Sequence, residues 1–559
     1  MTRRTAGQLS AQSSVLSLRH QAASQAPATA ATMEASTILT APSGRSKLFV
    51  LADMEGRSPR DNRACPSCIT KLSPAEIGQV NWHLDEDHVC KLCQVAAVKP
   101  EAFTKPFCDF LQENPTVFHT VDYFKTKLGQ SGYVELPPRD SWADKVHTGG
   151  KYWVSRNGSS IIAFAVGHSY KTGNGVSMIA GHIDALTARL KPISTKPNKG
   201  GYVELGVAPY AGALSATWWD RDLSIGGRVI VRDDATGKTK SKLVKIDWPI
   251  AKIPTLAPHF GVGMMGTGNK ETQAVPIIGL ETPGDAEAEP LGPVGSFVNT
   301  QPPKLVKLIA KQLGVKSYHS IVNWELELYD AQPATTFGLD KEFITAGRID
   351  DKLCSWAALM GLLAAEDRED DSYIRLGAFF DDEEIGSLLR QGAKGNFLPS
   401  TLERLLESLN PKSYGPGLFG QTMAKSFLFS ADVSHAGNPN FLGEYMPEHI
   451  PKLNVGLVLA EDSNGHMTTD AVSSTIAKRV AELSGSQLQD FQIRNDSRSG
   501  GTVGPMLSSA LGVRAADAGL PQLSMHSIRA TTGALDPGLG VKIFKGFYDF
   551  WEQIDNEWE

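Results

Sequence analysis

Phe379-Phe380-Asp381-Asp382-Glu383-Glu384-Ile385-Gly386-Ser387 decides how this chain is read. It has the pattern of a buried strand end, four consecutive acids, and a glycine turn leading into a helix. Four adjacent carboxylates repel one another, and no packed core keeps them together for stability alone. A divalent cation among them offsets the repulsion. Neighbouring acids can then divide the work, one binding metal while the other moves a proton, and Glu383 and Glu384 are placed to do so. A solvated acidic turn shows the same local pattern, so the remainder of the chain has to decide between the two.

Around that turn the texture is α/β. Residues 352–365 have a helical pattern, 373–380 a strand, 426–433 another strand, and 471–483 a helix. Residues 491–494 and 523–526 look like short strands, and an apolar helix spans 540–551. Upstream, Phe107, Phe110 and Leu111, then Val117, Val121, Phe124 and Leu128, recur at helical steps. Strands are predicted at 151–154 and 160–166, and one long strand at 176–190. Residues 192–345 differ: many glycines and prolines, short β-branched runs and few helical periods predict a β-rich inserted domain. Gly261, Gly263 and Gly266 there spell a dinucleotide fingerprint, but no strand precedes them and no helix follows, so they are loop glycines. The fold expected is α/β, with a mixed-sheet catalytic domain built from 99–191 and 346–559, an insertion at 192–345 that serves oligomerisation, and a largely disordered extension at 1–98.

The chain has 559 residues, 41% hydrophobic and 21% charged, which suits a soluble multi-domain protein. A net charge of −6 argues against a nucleic-acid-binding surface. No run of eighteen apolar residues is present, so no membrane span is expected. The N-terminal segment carries Arg3, Arg4, Arg19 and Arg45 with no acid before Glu34. That composition fits an organellar transit segment or a disordered tail, not a secretory signal, since 13–18 is too short and polar for an apolar core. Four of the six cysteines form Cys65-x-x-Cys68 and Cys90-x-x-Cys93, a candidate zinc knuckle with His83 and His88 as further ligands. Cys108 and Cys354 sit in apolar surroundings as buried thiols.

Five clusters fall at or near predicted strand ends, where α/β sheets form their sites. They are His182-x-Asp184, Arg348-Ile349-Asp350-Asp351, Asp382-Glu383-Glu384, Ser430-Ala431-Asp432 and Met525-His526-Ser527. A lone histidine beside a strand is more often a satisfied core residue. The conjunction of two imidazoles with several carboxylates points instead to zinc, manganese or cobalt, and away from calcium, which prefers oxygen alone.

In this order, His182-Ile183-Asp184-Ala185-Leu186-Thr187, Arg348 to Ser355, Asp382 to Ser387, Ser430-Ala431-Asp432 and Ser524 to Arg529 resemble the M18 metallopeptidases. The likeness is nearest to the fungal vacuolar aminopeptidase I group, with aspartyl aminopeptidases more distant, and it covers the chain from about Lys99 onward. It implies a binuclear aminopeptidase acting on peptides through a hydroxide that bridges two divalent ions, zinc before manganese or cobalt. His182 and Asp432 would hold one ion and Glu384 and His526 the other, with Asp350 bridging. Asp184 would orient His182. Glu383 would be the general base, and would later protonate the leaving amine. His259 matches a histidine that relatives lend from the inserted domain into a neighbouring subunit's site, and His435 matches a further site histidine.

The resemblance also implies a dodecamer, and a vacuolar or cytoplasmic location ahead of a mitochondrial one. An autophagy receptor would bind the N-terminal extension, whose residues 8–25 could form a weakly amphipathic helix through Leu9, Val15, Leu16 and Leu18 or belong to a disordered tail. Two departures bear on specificity. Ala460 stands where aspartyl aminopeptidases carry a lysine, and Asn438 replaces one of their histidines. Without the ammonium there is no partner for an acidic side chain, so a neutral or apolar N-terminal residue such as leucine is expected. The alternatives are an aspartyl- or glutamyl-selective aminopeptidase, a deacylase or carboxypeptidase on the same metal scaffold, and a catalytically silent autophagy cargo.

Overall fold

The strand that leads into the acidic turn, Ile374–Phe380, is buried at every position, as is Val176–His182 beside it. Both are nearly unbroken apolar runs, as strands covered on two faces must be. They run parallel with Phe380 opposite His182, and Phe427–Ser430 and Arg514–Gly519 continue the parallel set. The whole nine-stranded sheet has the order Val134–Glu135, Lys151–Arg156, Ser160–Val166, Ile374–Phe380, Val176–His182, Phe427–Ser430, Arg514–Gly519, Leu457–Glu461, Leu488–Gln492. The computed structural model describes residues 98–284 and 289–558. The expected zinc knuckle of Cys65, Cys68, Cys90 and Cys93, the helix at 8–25 and the receptor-binding extension lie outside them.

Alternate residues of each strand face two separate cores, as a period of two dictates. Ile179, Phe379 and Phe429 pack with the helices Thr104–Glu113, Val117–Gln130, Ile349–Ala364 and Asp536–Asn556. Met178, Phe380 and Leu428 pack on the other side with Phe397–Leu409 and Val503–Leu511. Three layers result, helix on sheet on helix.

A second sheet is antiparallel throughout, in the order Thr239–Lys245, Leu223–Arg232, Ile321–Asp330, Thr187–Thr195, Tyr202–Tyr210, Ile277–Leu280. It covers the helix Pro303–Leu313 around a core of its own that includes Trp218, Ile225, Ile309 and Leu326. The expectation of one strand over 176–190 is corrected here. The chain leaves the first sheet at His182 and enters the second at Thr187. Ile183, between them, is fully buried, so apolarity runs through the break and does not mark it. Gly261, Gly263 and Gly266 all take positive φ in a loop beyond the turn Pro258–Phe260.

A third, five-stranded sheet has the order Thr335–Phe337, Phe343–Ala346, Ala530–Gly533, Pro521–Leu523, Ser434–His435. Pairing of Phe343–Ala346 with Ala530–Gly533 brings the segment just before Arg348 beside the loop that carries His526. Three local expectations change. The strand predicted at 523–526 stops at Leu523, and Ser524 and His526 adopt φ of 61° and 62°. The strand at 426–433 pairs only as far as Ser430. No helix follows the acidic turn directly: Glu383–Ile385 is a single 3-10 turn, Gly386 has φ 96°, and the next helix begins at Phe397. Among the described residues, no helix is long and apolar enough to cross a membrane.

Candidate metal centre

The parallel strands all end at one edge of the nine-stranded sheet, and that edge holds the clusters. His182 is the last residue of its strand, Asp432 lies two residues past Ser430, and Glu383 and Glu384 follow Phe380 through Asp381 and Asp382. Asp350 comes from the first turn of Ile349–Ala364, and His526 from the loop between two strands of the third sheet. Four non-glycine residues next to or within these segments, Arg348, Asp382, Ser524 and His526, have φ between 61° and 66°. Such left-handed residues concentrate where a site, not the local chain, sets the backbone.

The side chains converge. His182 Nε2 is 3.2 Å from Asp350 Oδ1 and 3.6 Å from Asp432 Oδ1. His526 Nε2 is 3.5 Å from Asp350 Oδ2 and 3.5 Å from Glu384 Oε2. Asp350 therefore faces a different histidine with each of its oxygens. Glu383 Oε2 lies 3.8 Å from His182 Nε2. One donor atom each from His182, Asp350 and Glu384 fall within 4.8 Å of one another, as do those of His182, Asp351 and Asp432. Asp351, which no sequence argument gave a role, is fully buried, and its Oδ1 accepts the Cys354 N–H at 3.3 Å. Gly181 makes the convergence possible. A Cβ there would meet Ala431 O at 2.7 Å, Ser355 Oγ at 2.7 Å and Asp351 Oδ2 at 2.9 Å.

Asp184 orders the inner side of the cluster. Its Oδ1 lies 3.2 Å from His182 Nδ1, and its two oxygens accept the Glu383 and Glu384 backbone N–H groups at 3.2 and 3.1 Å. Tyr210 donates its hydroxyl to Oδ2 at 2.7 Å. Nothing in the sequence singled out Tyr210. It sits on a strand of the inserted sheet, in a run with no chemical pattern of its own.

The electrostatics call for a cation. Burial, with Asp350 next, pushes Glu384 up to about 10; burial likewise pushes Glu383 up to about 8, and Asp432 above its ordinary value. Burial pulls the His182 imidazole down, but Asp432, Asp184 and Asp350 outweigh it and raise it well above its usual value. Glu384 Oε1 is buried with no hydrogen-bond partner among the described residues, which costs free energy unless something positive approaches it. Two imidazoles, several carboxylates and one orphaned carboxylate oxygen fit a borderline divalent metal such as zinc.

Beside the cluster lies a cavity of about 290 Å³, with Asp350, Glu383, Glu384, Asp432 and His526 along one wall. Ala460, Met467, Phe491, Ile493 and Met525 form an apolar part, and His435 and Glu461 also face it. Among the described residues, no lysine or arginine lines it. Burial lowers the His435 imidazole below its ordinary value. His259 is elsewhere within this chain, on the exposed turn Pro258–Phe260, and lines neither this cavity nor the small one behind Asp350.

Two loops that wall the cavity are tied to Asp517, which accepts the Thr502 hydroxyl and the Thr468 N–H, each at 2.5 Å. Burial pushes Asp517 up to about 6. Its folded value thus exceeds the unfolded one, and the chain takes up a proton on folding between these values. Stability is therefore greatest below about pH 4 for this group and falls as pH rises through 6, by up to about 3 kcal/mol. The expected result is a thermal midpoint whose decline from pH 5 to pH 7.5 is shallower in Asp517→Asn than in the unmodified chain. An identical slope in both would remove Asp517 as its source.

A profile described as Aminopeptidase I zinc metalloprotease (M18) matches residues 110–548. Vacuolar aminopeptidase 1 of Saccharomyces cerevisiae is 41% identical over 467 residues, spanning 82% of this chain and 90% of that protein. Aspartyl aminopeptidase 4 of the same yeast is also 41% identical, over 473 residues, spanning 81% and 96%. The solved structure of mApe1 from Chaetomium thermophilum superimposes with a TM-score of 0.78 at 64% identity, covering 82% of this chain and 100% of that one. The chain belongs to the M18 family of metallopeptidases. It is an aminopeptidase, a hydrolase that depends on a divalent metal.

Proposed function

We propose that this aminopeptidase removes neutral or apolar residues, leucine among them, from peptide N-termini with a pair of divalent ions, zinc fitting best. The observation that carries the pair is Asp350, whose two oxygens are each directed at a different histidine. His182 and Asp432 would hold one ion, and Glu384 and His526 the other, with Asp350 shared. Bound there, the ions supply charge that acidifies a water and offsets the negative charge developing on the scissile carbonyl. Glu383, largely buried beside His182, takes the proton from the attacking water and returns it to the departing amine nitrogen. Asp184 fixes the His182 ring through Nδ1. His435, at the cavity wall, offers its imidazole to the substrate.

Side-chain preference follows from the cavity. Ala460 stands in its wall, no lysine or arginine lines it among the described residues, and Glu461 adds an acid. A substrate carboxylate brought here meets no partner, which costs on the order of 3 kcal/mol or more. Since one vacuolar and one aspartyl relative, both of yeast, are each 41% identical to this chain, those two likenesses do not choose between the preferences, and the reading rests on the wall residues. Leucyl p-nitroanilide should show a kcat/KM at least about a hundredfold above that of the aspartyl substrate. Equal rates, or an advantage for aspartyl, would reject the neutral preference.

The segment 192–345 is the oligomerisation domain of a dodecamer in this reading. Its exposed turn carries His259 with Phe260, Val262 and Met264 uncovered beside it, and is the part that reaches a neighbouring subunit to place His259 against the substrate. The likeness to the yeast vacuolar enzyme supports a vacuolar destination, with the N-terminal extension engaging the receptor that delivers it.

A further inference from the structure

We propose that Tyr210, supplied by the inserted sheet, is a positioning residue for Glu383 and acts through Asp184. The inference rests on Glu383 being the proton carrier. Asp184 is almost completely buried, and its carboxylate is fully committed. One oxygen serves His182 Nδ1 and the Glu383 N–H, and the other the Glu384 N–H and the Tyr210 hydroxyl. Of these four partners, only Tyr210 comes from outside the nine-stranded sheet and the turn itself. Its contact, at 2.7 Å, is also the shortest.

The inserted sheet holds the ring in place. Tyr210 ends the strand Tyr202–Tyr210, opposite Thr187, the first residue of the neighbouring strand. The Arg189 guanidinium stacks 3.8 Å over the ring, and Arg189 Nε is 3.7 Å from Glu327 Oε2 on the next strand. The second near neighbour of the hydroxyl, Asp382 Oδ1, is 3.4 Å away. A phenol has one proton to give, and the distances assign it to Asp184. Without that bond, Asp184 keeps three partners but loses the one anchored in a separate sheet, so the carboxylate can rotate. The two N–H groups that it fixes belong to Glu383 and Glu384, directly after Asp382 with its φ of 66°. A rotation there re-aims the Glu383 side chain while leaving every proposed metal ligand in the chain.

The test uses the full-length protein and leucyl p-nitroanilide. Tyr210→Phe keeps the ring and its packing, so the variant stays folded and assembled. It should lower kcat about ten- to a hundredfold, with KM within about twofold and metal content unchanged. The control is Tyr329→Phe, which deletes another buried tyrosine hydroxyl of the same sheet, one that donates to Ile246 O at 2.8 Å; it should change kcat by less than about twofold. Combined with Asp184→Asn, Tyr210→Phe should cost nothing further, because both act at one carboxylate. An unchanged kcat, a loss expressed in KM or metal content, an equal loss in Tyr329→Phe, or effects that multiply in the double variant would each overturn the proposal. Glu383→Gln separates this from its premise. If that variant remains active the premise has failed, whereas an inactive Glu383→Gln beside a fully active Tyr210→Phe defeats only the role of Tyr210.

Discussion

Glu383→Gln should lower kcat by about two to four orders of magnitude with metal content unaltered. The amide keeps the size of the carboxylate and its place beside His182, where Glu383 Oε2 lies 3.8 Å from Nε2, but it cannot accept a proton from water. The bound metal and the cavity would remain, so substrate should still bind, with KM moving by no more than a few-fold. Burial and the surrounding acids hold Glu383 near 8 when no cation neutralises them, so its basicity is sensitive to whatever occupies the cluster. Steady-state kinetics together with elemental analysis of the purified variant decide the matter. Loss of metal alongside activity would make Glu383 a ligand and transfer the proton work elsewhere. Retained activity would dismiss it altogether.

Asp350→Ala carries the second large effect, and its sign depends on the metal. In the proposed two-ion site, both ions would lose a shared ligand. Metal content should drop below two per chain after dialysis, activity should fall by more than about a hundredfold, and the unfolding midpoint should fall because bound metal stabilises the folded state. Stripped with chelator, the order should reverse. Asp350 is among the charges that push Glu384 up to about 10 and also raise Glu383 and Asp432, so deleting it relieves repulsion and the metal-free variant should melt above the metal-free parent. A variant that melts lower under both conditions would mean that Asp350 holds the fold and not the ions.

Much of this was legible in the sequence, for a reason that also explains what was not. The central strands Ser160–Val166, Val176–His182 and Ile374–Phe380 are apolar because both faces are covered, and a buried strand that ends in acids announces a site. Arg514–Gly519 is as central but reads as alanines around one aspartate. Its neighbours leave no room for more: a Cβ at Gly519 would lie 1.5 Å from Asp432 O. The proposed ligand motifs stand out in the sequence because each is short and charged, and the folded chain brings their side chains near one another. The cavity walls were not predictable in the same way. Met467 belongs to a loop with no period to read, Ile493 lies just past the strand Leu488–Gln492 where the sequence predicts a strand over 491–494, and Tyr210 acts across a boundary between two sheets.

The third sheet has a consequence for how such an enzyme is made. Asp350 follows Phe343–Ala346, which is registered against Ala530–Gly533, and His526 sits in the loop just before that partner strand. A nascent chain halted at Ser524 holds four of the five proposed ligands, yet it lacks both the last imidazole and the strand registered against the segment that leads to Asp350. In the proposed site the ligand set is therefore complete only once the late strand Ala530–Gly533 has docked against Phe343–Ala346, so the capacity to trim other proteins' ends would come with the last part of the chain to be made.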